Sequence, residues 1–190
     1  MIIEKGADDL SDEKIVELVL QDANYLAVII SRYKIKLFNY IRRITSINDE
    51  DVEDLLQEIF LKVYLNLNSF DQTMKFSSWI YAIARNQTIS YFRKTKVRPE
   101  GYLEVIDDDL ANRLTVDFDL INQIDQKHQH ESINQALFKL KSKYREIVIL
   151  KFVEEKSYQE ISDIIKKPVG TVGSMLNKAK IELRKLLEVK

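Results

Sequence analysis

Four glycines and two prolines are all that this chain of 190 residues offers for tight turns. Strand-rich folds spend those residues freely at their hairpins, and glycine-rich phosphate loops need several close together. Such scarcity argues against both and favours long helices. Apolar residues recur at helical spacing through most of the chain. Residues 11–22 predict a short amphipathic helix with Ile15, Leu18 and Val19 on one side. Residues 23–45 continue through Ile29, Ile30, Tyr33, Leu37, Tyr40, Ile41 and Ile44. Ser46-Ile-Asn-Asp then interrupts the pattern, and Asn48 or Asp49 is placed to cap the next helix.

The helix from about Glu50 to Leu67 buries Val52, Leu55, Leu56, Ile59, Val63 and Leu67 at three-four spacing. Another side carries Asp51, Asp54, Glu58 and Leu61, flanked by Gln57. A leucine among carboxylates suits a partner surface, although a solvated helix face has the same composition. A polar loop from Asn68 to Ser77 holds Phe70, Asp71, Lys75 and Phe76. A second long helix follows from about Ser77 to Lys94, with Ile80, Ile83, Ala84 and Tyr91 on its core side. Trp79, Ala82, Asn86, Ser90 and Arg93 line the neighbouring stripe. Its basic end, Arg93 to Arg98, suits the helix dipole as well as a polyanion.

Residues 99–128 lose periodicity and read as a linker. Net charge divides unevenly: −2 over residues 1–95, −4 over 96–128 and +5 over 129–190. A basic C-terminal third suggests a polyanion-binding module. Other chemistries find little support. With no cysteine, disulfides, thiol catalysis and thiolate zinc sites are excluded. Asp107-Asp-Asp109 has poor ligand spacing, and His128 and His130 have no ligand partners at useful spacing, so no metal or cofactor is expected. No apolar run reaches the roughly 18 residues of a membrane span. The first ten residues show no secretory pattern.

The most informative local pattern runs from Ser157 to Lys185. Ser157-Tyr-Gln-Glu160 fits a capping box. Ile161, Ile164 and Ile165 form a short buried face, Lys166 to Gly170 break it, and Thr171 is expected to cap a longer helix. Ser142 is expected to cap the helix before this pair. A short helix, a turn and a longer helix make a helix-turn-helix. The outer side of the second helix must be free to enter a groove. It offers Thr171, Gly173, Ser174, Asn177, Lys178, Lys180 and, further along, Arg184. Asparagine can bond a base edge, and lysines can meet phosphates.

The two halves together resemble the extracytoplasmic-function group of bacterial sigma-70-type sigma factors. The matching residues are Asp51-Val-Glu-Asp-Leu-Leu-Gln-Glu-Ile-Phe60 and Phe76-Ser-Ser-Trp-Ile-Tyr-Ala-Ile-Ala-Arg-Asn86. In the second half they are Leu140 to Leu150, Ser157-Tyr-Gln-Glu-Ile161, and Gly170-Thr-Val172 with Ser174, Leu176 and Ala179. The resemblance implies an all-α protein of two small helical domains joined by a flexible linker. Residues 1–96 would be region 2, 97–128 an acidic linker threading toward the RNA-exit path, and 129–190 region 4 with the helix-turn-helix.

It further implies a non-enzymatic, cytoplasmic subunit that gives core RNA polymerase its promoter specificity, with an anti-sigma factor as a further partner. Asp51, Asp54, Gln57, Glu58 and Leu61 would dock the polymerase. Phe70, Phe76, Trp79, Asn86, Arg93, Lys94, Lys96 and Arg98 would meet the minus-ten element. The outer side of the second helix would read the minus-thirty-five element. The family usually has a charged or polar residue where Gly173 stands and an arginine where Met175 stands. On residues alone, a stand-alone regulator with a dimerising N-terminal half stays open. A helical metal enzyme would need the Glu-x-x-His pattern that this chain lacks.

Overall fold

The computed structural model describes residues 9–45, 47–95 and 135–188. Residues 96–134, with the expected linker, its acidic triplet, both histidines, Lys96 and Arg98, lie outside the described residues. Every element found is helical, and the chain divides into two compact units, mainly its N-terminal and C-terminal parts. None of the described helices is long and apolar enough to cross a membrane.

In the N-terminal unit, Ser11 caps α1 (Asp12–Gln21) by accepting a bond from the Lys14 backbone N–H at 3.2 Å. The run expected over 23–45 is broken at its start. Asp22 adopts an extended conformation, and its carboxylate accepts from the Asn24 N–H at 3.0 Å, which winds Ala23–Tyr25 into a 3-10 turn before α2 (Leu26–Ile44) begins. Of the two candidate caps for α3 (Asp49–Asn66), Asn48 serves. Its side chain takes the Asp51 N–H at 2.7 Å, and Asp49, Glu50 and Asp51 fill the first turn, where the dipole favours them. A 3-10 turn (Leu67–Ser69) and a short loop lead to α4 (Phe76–Thr95).

The core of this unit encloses Ile15, Ile29, Leu37, Tyr40, Ile41, Ile59, Phe76, Ile80 and Tyr81. Burying a side chain of this size contributes about 1.5–3 kcal/mol before entropy is counted. The core side of α4 differs from the expected one. Tyr81, Gln87 and Thr88 are buried, Ala82 of the neighbouring stripe is buried too, and Ile83 and Tyr91 are only half-buried.

In the C-terminal unit, residues 135–139 are helical, followed by α5 (Ser142–Phe152), α6 (Tyr158–Ile165) and α7 (Val169–Glu188). Ser142 does not cap α5. Lys141 stands at that position and makes no side-chain cap. Buried Arg145 instead reaches back to the carbonyls of Leu137 (3.2 Å), Phe138 (2.8 Å) and Leu140 (3.5 Å), satisfying the end of the preceding helical turn. Burial lowers the pKa of this guanidinium from its ordinary value.

The capping box of α6 is complete. Ser157 Oγ accepts from the Glu160 N–H at 3.2 Å, and Glu160 Oε2 accepts from the Ser157 N–H at 2.9 Å. Thr171 does not cap α7, because that helix starts two residues earlier. The Pro168 carbonyl already accepts from Thr171 (2.8 Å) and Val172 (3.1 Å), so the connecting turn shortens to residues 166–168. Lys166 makes this turn in the left-handed conformation, φ 54° and ψ 52°.

Candidate functional site

The α3 surface comes first. Asp54, Gln57, Glu58 and Leu61 are exposed, and Leu61 keeps 58% of its surface in water. Asp51 is half-buried. These residues divide between two directions. Asp51 accepts a bond from the Tyr91 phenol of α4, whose pKa is raised by partial burial and then by that carboxylate. Glu58 Oε2 accepts from Gln87 Nε2 at 3.4 Å, and Gln87 Oε1 accepts from Lys62 Nζ at 2.7 Å. Asp51 and Glu58 therefore brace α4.

Gln57 and Leu61 instead border an open groove of about 400 Å³ between α2 and α3, walled also by Leu26, Ile30, Leu56, Phe60 and Tyr64. Lys34 and Glu53, 3.8 Å apart, line it as well. Sequence reasoning misses the α2 wall. Helical spacing assigns Ile30 to the core, and nothing in the spacing of Leu26 and Ile30 marks them as facing an opening.

The second surface is built on aromatic rings. Phe70 packs edge-on to Phe76 (centroids 5.5 Å, 90°), and Trp79 leans on both at 5.3 and 5.6 Å. Tyr33 meets Phe76 from below at 5.8 Å. Phe76 has no exposed surface and Phe70 is 9% exposed, so both rings act as a floor; Trp79 is half-buried. Between Phe70 and Phe76 the chain makes a tight loop. Asp71 Oδ1 accepts from the Thr73 N–H at 2.9 Å, and the Asp71 carbonyl accepts from the Met74 N–H at 3.1 Å. The Thr73 backbone bond holds the Asp71 carboxyl below its usual pKa. Asp71, Gln72, Thr73 and Lys75 are exposed; the family resemblance assigns their loop, residues 68–77, to strand capture but singles out only Phe70 and Phe76 within it. Asn86, Arg93 and Lys94 are exposed on α4, where Trp79, Asn86 and Arg93 share a stripe at helical spacing.

The third surface is α7. Ser174, Asn177, Lys178 and Arg184 are exposed and Thr171 is half-buried. Ser174 Oγ donates to the Thr171 carbonyl at 2.9 Å. Two nominated residues are placed differently from expectation. Gly173 faces α6, where a Cβ would lie 3.7 Å from Tyr158 Cε1. Lys180 lays its ammonium 5.4 Å from the centre of the Phe152 ring. In their stead the turn contributes exposed Lys166 and Lys167.

The family model Sigma-70 region 2 matches residues 29–98, and Sigma-70, region 4 matches residues 130–183. The ECF RNA polymerase sigma factor SigW of Bacillus subtilis (strain 168) is 34% identical over 190 residues, covering 92% of this chain and 95% of its own. The ECF RNA polymerase sigma-E factor of Haemophilus influenzae is 28% identical over 179 residues, covering 92% and 94%. Among solved structures, CnrH in complex with the cytosolic domain of CnrY is similar with a TM-score of 0.67 at 18% identity, over 94% of this chain and 98% of that one. The sigma factor RpoE in complex with the anti-sigma factor NepR from Bartonella quintana is similar with a TM-score of 0.63 at 22% identity, over 86% and 97%.

Proposed function

We propose, because this chain belongs to the extracytoplasmic-function sigma factors of the sigma-70 family, that its three surfaces share the work of promoter opening. One docks polymerase, one captures an unpaired promoter strand and one reads duplex upstream. The protein is a promoter-specificity subunit of RNA polymerase that binds core enzyme and promoter DNA. It works as a cytoplasmic, non-enzymatic factor.

The observation that carries the docking assignment is Leu61, largely exposed between Gln57 and Glu58 at the edge of an apolar groove. A large aliphatic residue kept in water beside carboxylates and an amide suits a partner that brings both an apolar ridge and cations. Asp54, Gln57 and Leu61 make the contact, and Asp51 and Glu58 hold α4 in place beneath it.

Strand opening requires a receptor for a base that has left its stack. The loop 71–75 over the Phe70–Phe76–Trp79 floor supplies it, with the Trp79 edge as the aromatic within reach. Stacking on such a ring is worth roughly 1–3 kcal/mol per base. Asn86, Arg93 and Lys94 follow the strand along α4. Lys96 and Arg98 extend that basic end in sequence.

Upstream, Asn177 reads a base edge, while Lys166, Lys167, Lys178 and Arg184 meet phosphates. Four such cations give a log-log salt slope of roughly −3.6. Lys178→Ala is expected to weaken all promoters alike and make that slope shallower by about one unit. Asn177→Ala changes base preference. Identical behaviour of the two variants would overturn the division of labour.

An anti-sigma factor is the remaining partner. RpoE and CnrH were each solved with a bound protein, an anti-sigma factor in the case of RpoE. An inhibitor seated on Leu61 and the groove would compete directly with polymerase. Reconstituted transcription with core enzyme tests the whole reading. Promoter-dependent starts are expected, and absence of polymerase binding refutes it. A gel shift with the protein alone should show weak duplex binding; tight binding to a palindrome would point to a stand-alone regulator instead.

A further inference from the structure

Helix α1 ends before the residues matched by the region 2 family model begin. Its two leading carboxylates nonetheless reach the start of α4, beside the proposed strand-capture loop, and the α2 ring that packs on it. Glu13 Oε1 accepts from the backbone N–H of Phe76, the first residue of α4, at 3.3 Å. Asp12 accepts from Arg32 Nη1 at 2.8 Å and from the Tyr33 phenol at 2.5 Å. The Tyr33 ring in turn packs against Phe76. Helix α1 also packs on both α4 and the 3-10 turn Leu67–Ser69, the two elements from which loop 70–75 is suspended.

A helix start needs acceptors for its free N–H groups, and a capping side chain normally comes from the residue just before. Here an acceptor comes from 63 residues away. We propose that α1 is a positioning element for strand capture, with Glu13 fixing the first turn of α4 and Asp12 fixing the Tyr33–Phe76 contact, so that loop 70–75 keeps the shape that receives one unpaired base. This rests on the base-capture reading given above. Neither carboxylate need touch DNA. Their effect passes through Phe76 to Phe70 and Trp79, the rings beneath the loop.

The test uses the full chain bound to core polymerase. The probe is a forked minus-ten DNA with an unpaired strand, varied at each base. Glu13→Ala is expected to weaken binding of that probe about fivefold, as loss of one cap implies. It should also alter preference at one unpaired position while leaving affinity for core enzyme unchanged. Glu13→Gln keeps an acceptor oxygen and should restore most of the preference. Asp12→Asn should follow Glu13→Ala in direction. If Glu13→Ala changes only thermal stability, the carboxylate merely supports the fold and the proposal fails. A loop-tip variant, Gln72→Ala with Lys75→Ala, separates the role of α1 from base capture. Loss of base preference there with none in Glu13→Ala overturns the role of α1 alone; no loss in either overturns base capture itself.

Discussion

Single residues carry the clearest tension between stability and function. Lys166 occupies the left-handed region where glycine ends helices most cheaply, a cost of roughly 1–2 kcal/mol for a residue with a Cβ. Lys166→Gly is expected to raise unfolding free energy by about 1 kcal/mol. It should also make the salt slope of promoter binding shallower by about one unit. Urea denaturation and a salt titration read the two effects. Gly173 poses the converse case. A methyl group there meets only the Tyr158 ring at ordinary contact distance. Gly173→Ala should therefore stabilise by up to about 1 kcal/mol in the same denaturation experiment. Residue identity alone nominates Asn177 and Lys178 for the exposed face of α7. It cannot place Gly173 or Lys180, since the α6 and α5 aromatics that take them up are fixed only by packing.

At the scale of elements, helices announce themselves where apolar spacing and capping chemistry agree. All six of the apolar positions picked for the helix expected from Glu50 to Leu67 are buried, the last of them in the 3-10 turn after α3, and the box at Ser157 forms as its spacing implies. Removing the box by Ser157→Ala should cost about 1 kcal/mol, measured by thermal unfolding, and loosen α6. Pattern reading fails where polar groups go inside. It does not pick out Gln87 and Thr88 of α4 for the core. They are buried because Lys62 and Glu58 satisfy the amide, and Thr88 Oγ1 donates to the Ala84 carbonyl at 2.8 Å. Serine at position 142 has the chemistry of a cap, but Arg145 satisfies the preceding carbonyls from inside the unit. The proposed docking role of α3 has its own test. Asp54→Ala with Gln57→Ala should lower polymerase affinity and leave the helical circular dichroism spectrum intact; unchanged affinity would mean that another face docks.

For the whole molecule, the all-helical class is legible from glycine and proline scarcity together with periodicity, and the charge change along the chain hints at two modules. The groove between α2 and α3 is not legible, since its walls come from helices that no spacing rule relates. Each unit has its own buried core, Tyr40 and Tyr81 in one and Ile147, Leu150 and Val172 in the other. Their sizes differ, and burial efficiency falls steeply in domains of about 60 residues. A fragment of residues 1–96 is expected to melt cooperatively by circular dichroism, whereas one of 129–190 should melt at lower temperature and over a broader range.

Leu61 leaves this protein with an unfinished exterior. A free copy keeps that greasy edge in water, and hiding it is what a partner seated there would gain. Overproduced without company, it should clump, and light scattering on Leu61→Lys against the unaltered chain would reveal whether that one side chain sets the ceiling.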